Sequence, residues 1–180
     1  MAEIPIDKLV FVDETSTSIA MARRFARAPR GQRAYGKVPR NHGNPTTVVG
    51  ALAHDGLGAA MSVIGAIDTP VFAVYVRDLL CPTLRSGQVV VLDNLSVHKA
   101  AIIREHIEAV GCKLLFLPSY SPDLNPIELA FSKFKTALRK AAARTQEALD
   151  EAIPKALDLV TAEDALGWFH HCGYLPASPT

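Results

Sequence analysis

The sequence is poor in the features that would mark a secreted, membrane-spanning or disordered protein. It has three cysteines, Cys81, Cys112 and Cys172, odd in number, far apart and in no CxxC pattern. A disulfide framework or zinc site is therefore not expected, and the thiols read as small buried hydrophobes in a reducing compartment. No apolar run approaches the ~20 residues that a membrane span requires. The opening MAEIPIDKLVFVDE places acids ahead of a short apolar run and lacks a small-residue cleavage site, so it does not read as a secretory signal. Aromatic residues are sparse, at 7%, and no repeat, low-complexity tract or linker interrupts the 180 residues. What is present is an ordinary globular composition, 49% hydrophobic and 21% charged, which suits one domain with a full core.

The net charge of +1 says little about partners, but its distribution says more. No acid occurs between Thr15 and His54, a stretch that holds Arg23, Arg24, Arg27, Arg30, Arg33, Lys37 and Arg40. A second acid-free stretch, from Leu129 to Gln146, holds Lys133, Lys135, Arg139, Lys140 and Arg144. Segregated positive charge on a near-neutral chain suits a polyanion such as nucleic acid. A merely solvated basic surface is the alternative that composition leaves open.

Apolar patterning predicts a buried strand over Leu9–Val12 that ends at Asp13, then irregular Gly- and Pro-rich chain to about Pro45 with room for one short strand. Thr46–Ala53 and Ala59–Ala66 read as a hairpin about the Asp55-Gly56 pair. Thr69–Leu80 has helical spacing, with Phe72, Tyr75, Val76 and Leu79 on one face. Gln88–Leu92 is a second strand ending in an aspartate, Asp93. A helix over Ser96–Val110 stops at Gly111, and Lys113–Leu117 is the last strand, closed by Pro118. Asn125 can cap a helix that begins at Pro126 and runs to about Ala143, and two shorter helices follow over Gln146–Val160 and Ala162–His170. This order predicts an α/β fold with a ribonuclease H-like mixed five-stranded sheet: three antiparallel strands, then two parallel ones, with helices on both faces.

Three acids have positions suited to chemistry. Asp13 and Asp93 each follow an apolar strand, where open α/β sheets present ligand-binding groups, and on neighbouring strands they could share a cation. For either alone, a turn or cap role competes. On the helix from Pro126, the residues Ile127, Phe131, Phe134 and Leu138 form one apolar stripe. Glu128, Lys135 and Arg139, at spacings of seven and eleven, form a second about a quarter-turn away. Glu128 would thus project at the edge of the buried face, unless it completes a capping box with Asn125. Oxygen ligands without Cys or His favour Mg²⁺ or Mn²⁺. Crowded carboxylates should also raise at least one pKa in the metal-free protein, and Asp93→Asn should relieve that repulsion.

The segments FVDE (11–14), VVLDNLSVHK (90–99) and FLPSYSPDLNPIE (116–128) resemble, in order and spacing, the signature blocks of DDE transposases. The nearest resemblance is to the bacterial insertion-sequence branch of the mariner superfamily, in which 34 residues typically separate the second and third acids, as they separate Asp93 and Glu128. It extends from about residue 8 to 175 and includes RGQRAYGKVPR (30–40). Mariner itself has an aspartate as the third acid, whereas Glu128 is the glutamate of the bacterial relatives.

The resemblance implies a ribonuclease H-like domain in which Asp13, Asp93 and Glu128 are catalytic and hold two Mg²⁺ ions, with Mn²⁺ able to substitute. It implies cleavage at element ends, strand transfer into short target sites, commonly TA, and a homodimer when two ends are synapsed. The location implied is the bacterial cytoplasm, at the nucleoid. Twelve residues precede Asp13, so the whole chain, 1–180, is expected to be one catalytic domain without the helix-turn-helix domains that read element ends. DNA contacts are expected from Arg30, Arg33, Lys37, Arg40, Lys135 and Arg139.

Asn94 could orient Asp93, meet substrate or serve a turn. His98 could support the site or face DNA, or be a capping or partly buried histidine. Glu14 should point away from Asp13 and stay outside the metal site. Tyr120, Ser121 and Asn125 should shape the loop over the site, and His170-His171-Cys172 reads as structural. Two other functions compatible with these residues are a ribonuclease H-like nuclease without strand transfer and an inactive DNA-binding remnant.

Overall fold

The computed structural model describes residues 4–119 and 121–174. Strands β1 (Leu9–Thr17), β2 (Thr46–Ala53) and β3 (Gly56–Ile64) form an antiparallel meander. Strands β4 (Val89–Leu92) and β5 (Lys113–Phe116) add in parallel on the other side of β1, giving the order β3-β2-β1-β4-β5. This is the mixed sheet that the patterning predicts.

Alternation along β1 explains the layering. Leu9 and Phe11 enter one core, whereas Val10 and Val12 enter the other, and all four are buried. The first core lies under α3 (Pro126–Ala141), α4 (Gln146–Leu157) and α5 (Ala162–His171). The second lies under α1 (Thr69–Tyr75) and α2 (Ala101–Ala109). On α3 the stripe Ile127, Phe131, Phe134 and Leu138 is buried as its spacing requires. No helix among the described residues is long and apolar enough to cross a membrane.

Several boundaries differ from those expected. β1 does not end at Val12, because its antiparallel ladder with β2 runs from Phe11↔Leu52 to Thr17↔Thr46, whereas the parallel ladder with β4 stops at Phe11↔Val91. Asp13 is therefore within a strand and just past the end of its neighbour's pairing. The hairpin turn is only His54-Asp55, so β3 begins at Gly56 instead of Ala59. An extra residue on β3 shifts the register where Ala59 takes a φ of 41°.

The helix after β3 widens into a π turn over Val76–Leu80, and the added backbone turns Leu80 into the core in place of Leu79. The expected helix Ser96–Val110 is broken at Ala100, whose ψ is 137°. A 3-10 turn over Ser96–Lys99 carries His98 inward, while α2 keeps Ile103 and Ile107 against the sheet. Gly111, at φ 77°, makes the turn into β5, and a Cβ there would lie 2.6 Å from Ser86 Oγ. α3 ends two residues early, at Ala141, with Ala142 left-handed. Residues 18–45 form no helix or strand.

Candidate active site

The middle of β1, the C-terminal end of β4, the loop after β5 and the first turn of α3 enclose a cleft of about 410 Å³. Asp13, Asp93 and Glu128 all line it, with Asn94, Ser119, Ser121 and Asn125. Asp93 follows the last residue of β4, and β4 is hydrogen-bonded beside β1. Glu128 is exposed at the mouth, one residue after the buried Ile127. Its capping-box alternative is absent, since Asn125 makes no side-chain cap bond. Among the described residues no three Asp, Glu, His or Cys side chains stand close enough to enclose an ion together.

Each aspartate is already engaged. Asp13 Oδ1 accepts the Glu14 N–H at 2.7 Å, and Oδ2 accepts the Asn125 amide at 2.8 Å. Burial, and then the charges of Glu128 and Asp93, push the Asp13 carboxyl from 3.8 up to about 7, against the lowering effect of the Glu14 N–H. Asn125 thus serves Asp13 and not the helix end, while its own Oδ1 is buried without a partner. The unpaired Asn125 carbonyl oxygen and the buried Asp13 carboxylate are oxygen donors, the ligand type that a hard divalent cation takes.

Asp93 has the opposite setting. His98, fully buried, lies with Nδ1 2.5 Å from Asp93 Oδ1 and Nε2 3.3 Å from Glu14 Oε1. Burial alone would lower the His98 pKa, but its bonds to Asp93 and Glu14 outweigh that and raise it to about 9. The ring is therefore an imidazolium at neutral pH, and both nitrogens donate. Phe72 on α1 stacks against it, with ring centroids 4.4 Å apart. Burial pushes the Asp93 carboxyl up, yet the His98 bond and the Leu95 N–H at 3.1 Å bring it below its ordinary value.

The expectation that His98 could face DNA is thus corrected. Glu14 does point away from Asp13, into the α1 side, but it reaches the site through His98. No local signal distinguishes this glutamate from a solvated one; only the packing of residues 84 positions apart reveals it. Asn94 is held at the cleft wall by donating to Ser119 Oγ at 2.8 Å, and Tyr120 lies outside the described residues. Cys172 is buried at the end of α5, with His170 and His171 exposed.

The expected DNA-contacting residues divide into two groups. Lys135 and Arg139 stand on α3 on the Glu128 side, and Glu128 and Asp13 act on the Lys135 charge. Arg30, Arg33, Lys37 and Arg40 are exposed on the irregular segment, and none lines the cleft. Other residues of that segment, Arg23, Arg24 and Phe25, come near α3, and after burial the Arg24 charge further lowers the pKa of Arg139.

No curated protein matches the chain by sequence. Solved structures do match it in fold. The Mos1 transposase paired-end complex with left transposon end superposes with a TM-score of 0.74 at 18% identity, over 93% of this chain and 53% of that one. The Mos1 strand transfer complex gives 0.73 at 17% identity, over 93% and 52%. The catalytic domain of Mos1 mariner transposase gives 0.66 at 15%, over 93% and 78%. The chain thus spans about half the length of the transposase chains in those complexes, and shares their ribonuclease H-like sheet. A family description, DDE superfamily endonuclease, matches residues 8–150. That match begins one residue before β1 and ends within α4, so it takes in all three acidic residues of the cleft, and the chain belongs to the DDE superfamily endonuclease family.

Proposed function

We propose that this chain is the catalytic domain of a cut-and-paste transposase, an Mg²⁺-dependent endonuclease and strand transferase whose catalytic acids are Asp13, Asp93 and Glu128. The observation that carries the reading is one cleft lined by these three acids from three separate elements, with Asp13 held near pH 7 by burial and by the other two charges. Structures of similar fold include a transposase with Mg and with Mn, and a strand transfer complex. They support the cofactor and the second chemical step.

Asp13, Asp93 and Glu128 would hold the cations, with the free Asn125 Oδ1 beside them. Two divalent ions so held supply an activated attacking oxygen and neutralise the leaving one. The remaining tasks belong to the protein. Asn125 and the Glu14 N–H fix the Asp13 carboxylate on β1, and His98 fixes Asp93 in one rotamer, so that little reorganisation accompanies reaction. Asn94 and Ser119 join the two loops that wall the cleft. Lys135 and Arg139 continue the positive charge along α3, where a backbone phosphate chain leaving the cleft would lie, and Arg30, Arg33, Lys37 and Arg40 add exposed charge on the irregular segment. Cytoplasmic action on element ends, as a homodimer at synapsis and as one catalytic unit, completes the reading.

Supercoiled plasmid incubated with the purified chain and Mg²⁺ should be nicked, and Asp93→Ala should not nick it. A pre-cut end supplied with target DNA separates the readings: joined product supports a transposase, whereas nicking without joining supports a hydrolytic nuclease. Binding without either reaction would identify an inactive remnant.

A further inference from the structure

A second cavity, of about 480 Å³, opens between the irregular segment and α3. Arg23, Arg24 and Phe25 form one wall, and Ser132, Thr136, Arg139 and Lys140 form the other. No acid lines it, and among the described residues none of its four cations makes an ion pair. The cations are crowded: after burial, the Arg24 charge further disfavours protonation of Arg139, and the charges of Arg139 and Arg24 do the same to Lys135. Like charges brought together with no acid among them favour an anion as their partner. Phe25 is 89% exposed. A lone exposed aromatic needs no explanation, but this one lines, with Arg139 and Lys140 across from it, a cavity large enough for a nucleotide.

The cavity is also in line with the catalytic cleft. Glu128, Lys135 and Arg139 share one side of α3, and eleven residues of helix advance about 16 Å from Glu128 to Arg139. At a rise of about 3.4 Å per nucleotide, that distance corresponds to roughly five nucleotides of a strand.

We propose that this cavity is a nucleotide site for a DNA strand leaving the catalytic cleft: Arg24 and Arg139 hold one backbone phosphate, and Phe25 stacks on an unpaired base. Arg23 and Lys140 enclose the phosphate from the solvent side. The base is unpaired because a face stacked within a duplex is already covered, and stacking on an aromatic ring accepts any base. The position along the strand rests on the endonuclease reading above; the existence of the site does not.

The test uses the full chain in EDTA, with end-labelled ten-nucleotide oligothymidylate and a duplex of equal length, followed by fluorescence anisotropy across a salt series. Arg24→Gln combined with Arg139→Gln should weaken oligothymidylate binding about tenfold and flatten its log–log salt slope by roughly 0.7, the contribution of one single-strand phosphate. Phe25→Ala should weaken the single strand about tenfold and the duplex hardly at all, and Phe25→Trp should restore binding. Arg104→Gln with Lys155→Gln, equal in charge loss but on α2 and α4, should change neither. 5-Iodouracil moved stepwise along a cleavable strand should crosslink to Phe25 best about five nucleotides from the nick.

Unchanged affinity and slope in the arginine pair would overturn the phosphate site. A Phe25→Ala effect that is absent, or equal on duplex and single strand, would overturn the base site. Asp93→Ala separates this proposal from the catalytic one. If that variant still nicks while the cavity variants bind poorly, the active-site reading fails and the nucleotide site stands. If it is inactive while the cavity variants bind like wild type, only the nucleotide site fails.

Discussion

On the α3 side of the sheet, Asp13 lies almost buried beside Glu128, and among the described residues the Asn125 amide is its only side-chain hydrogen-bond partner. On the α1 side, His98 lies fully buried between Asp93 and Glu14. Both arrangements place charge in a low-dielectric interior, where an unpaired ion costs several kcal/mol. The α1 side contains its own cation, so its carboxylate nearer the cleft, Asp93, stays ionised. On the α3 side no cation is bonded to Asp13, and burial pushes it towards its neutral form at neutral pH. On the proposed reading, the difference says where a cation from solution would gain most: at Asp13, with Asp93 already held in place by His98.

The largest effects should be on catalysis. Asp13→Asn, Asp93→Asn and Glu128→Gln should each reduce Mg²⁺-dependent nicking to background, because each removes a ligand charge from the same cleft. Full nicking by Asp93→Asn would break the comparison at its centre and make Asp93 a turn residue.

Next comes the brace. His98→Asn should lower nicking or apparent Mg²⁺ affinity by about 10–100-fold, the usual loss when a partner orienting a metal ligand is removed. Glu14→Gln, one step further from the cleft, should cost less. A Mg²⁺ titration of initial rates checks both; equal losses for the two variants would mean that His98 acts as packing and not as an orienting donor.

A smaller effect should appear in metal-free stability. Burial raises the Asp13 pKa from 3.8 to about 7, so folding favours its protonated form. That contribution is complete below about pH 4 and lost as the pH rises through about 7. Asp13→Asn should therefore melt a few degrees above wild type at pH 8 without metal, and Mg²⁺ should stabilise wild type more than the variant. Asp93→Asn should do the reverse and lower the melting temperature. The variant relieves the repulsion that Asp93 exerts on Asp13, but it also gives up the bond to the His98 imidazolium. His98, raised to about 9, adds stability that is full below about pH 6.5 and lost as the pH passes through 9. Thermal melts from pH 4 to 9 in EDTA measure these slopes, and a wild-type stability that rose over that range would contradict both assignments.

The smallest effect lies away from the cleft and calibrates the others. Asp164 caps α5 through Thr161 and pairs with Lys133, and the Lys133 bond, with the Thr161 N–H, lowers its carboxyl to about 2. Its contribution is present above about pH 4 and disappears as the pH falls to 2. Asp164→Asn should cost about 1 kcal/mol at pH 7, mostly as a lost cap, and nothing near pH 2, without changing nicking. A change in nicking would show that α5 communicates with the cleft.

Much of this was legible from residue order. The apolar runs before Asp13 and Asp93 and the stripe on α3 are local patterns, and each became the strand or helix expected of it. Boundaries failed where a partner decided them. β1 is prolonged by the edge of β2, the π turn at Val76–Leu80 follows from packing, and the break at Ala100 accompanies the burial of His98. The three acids were readable because each interrupts or borders an apolar pattern.

Local periodicity was therefore enough for the succession of elements along the chain and the two buried faces, and the three acids stood out through the blocks that resemble DDE transposases. Only the tertiary structure decided that Asn125 turns to Asp13 across 112 residues, that Glu14 reaches His98 across 84, and that Arg24 faces Arg139. A side chain's hydrogen-bond partner depends on which distant segment folds against it, and at those separations local spacing carries no information about the choice.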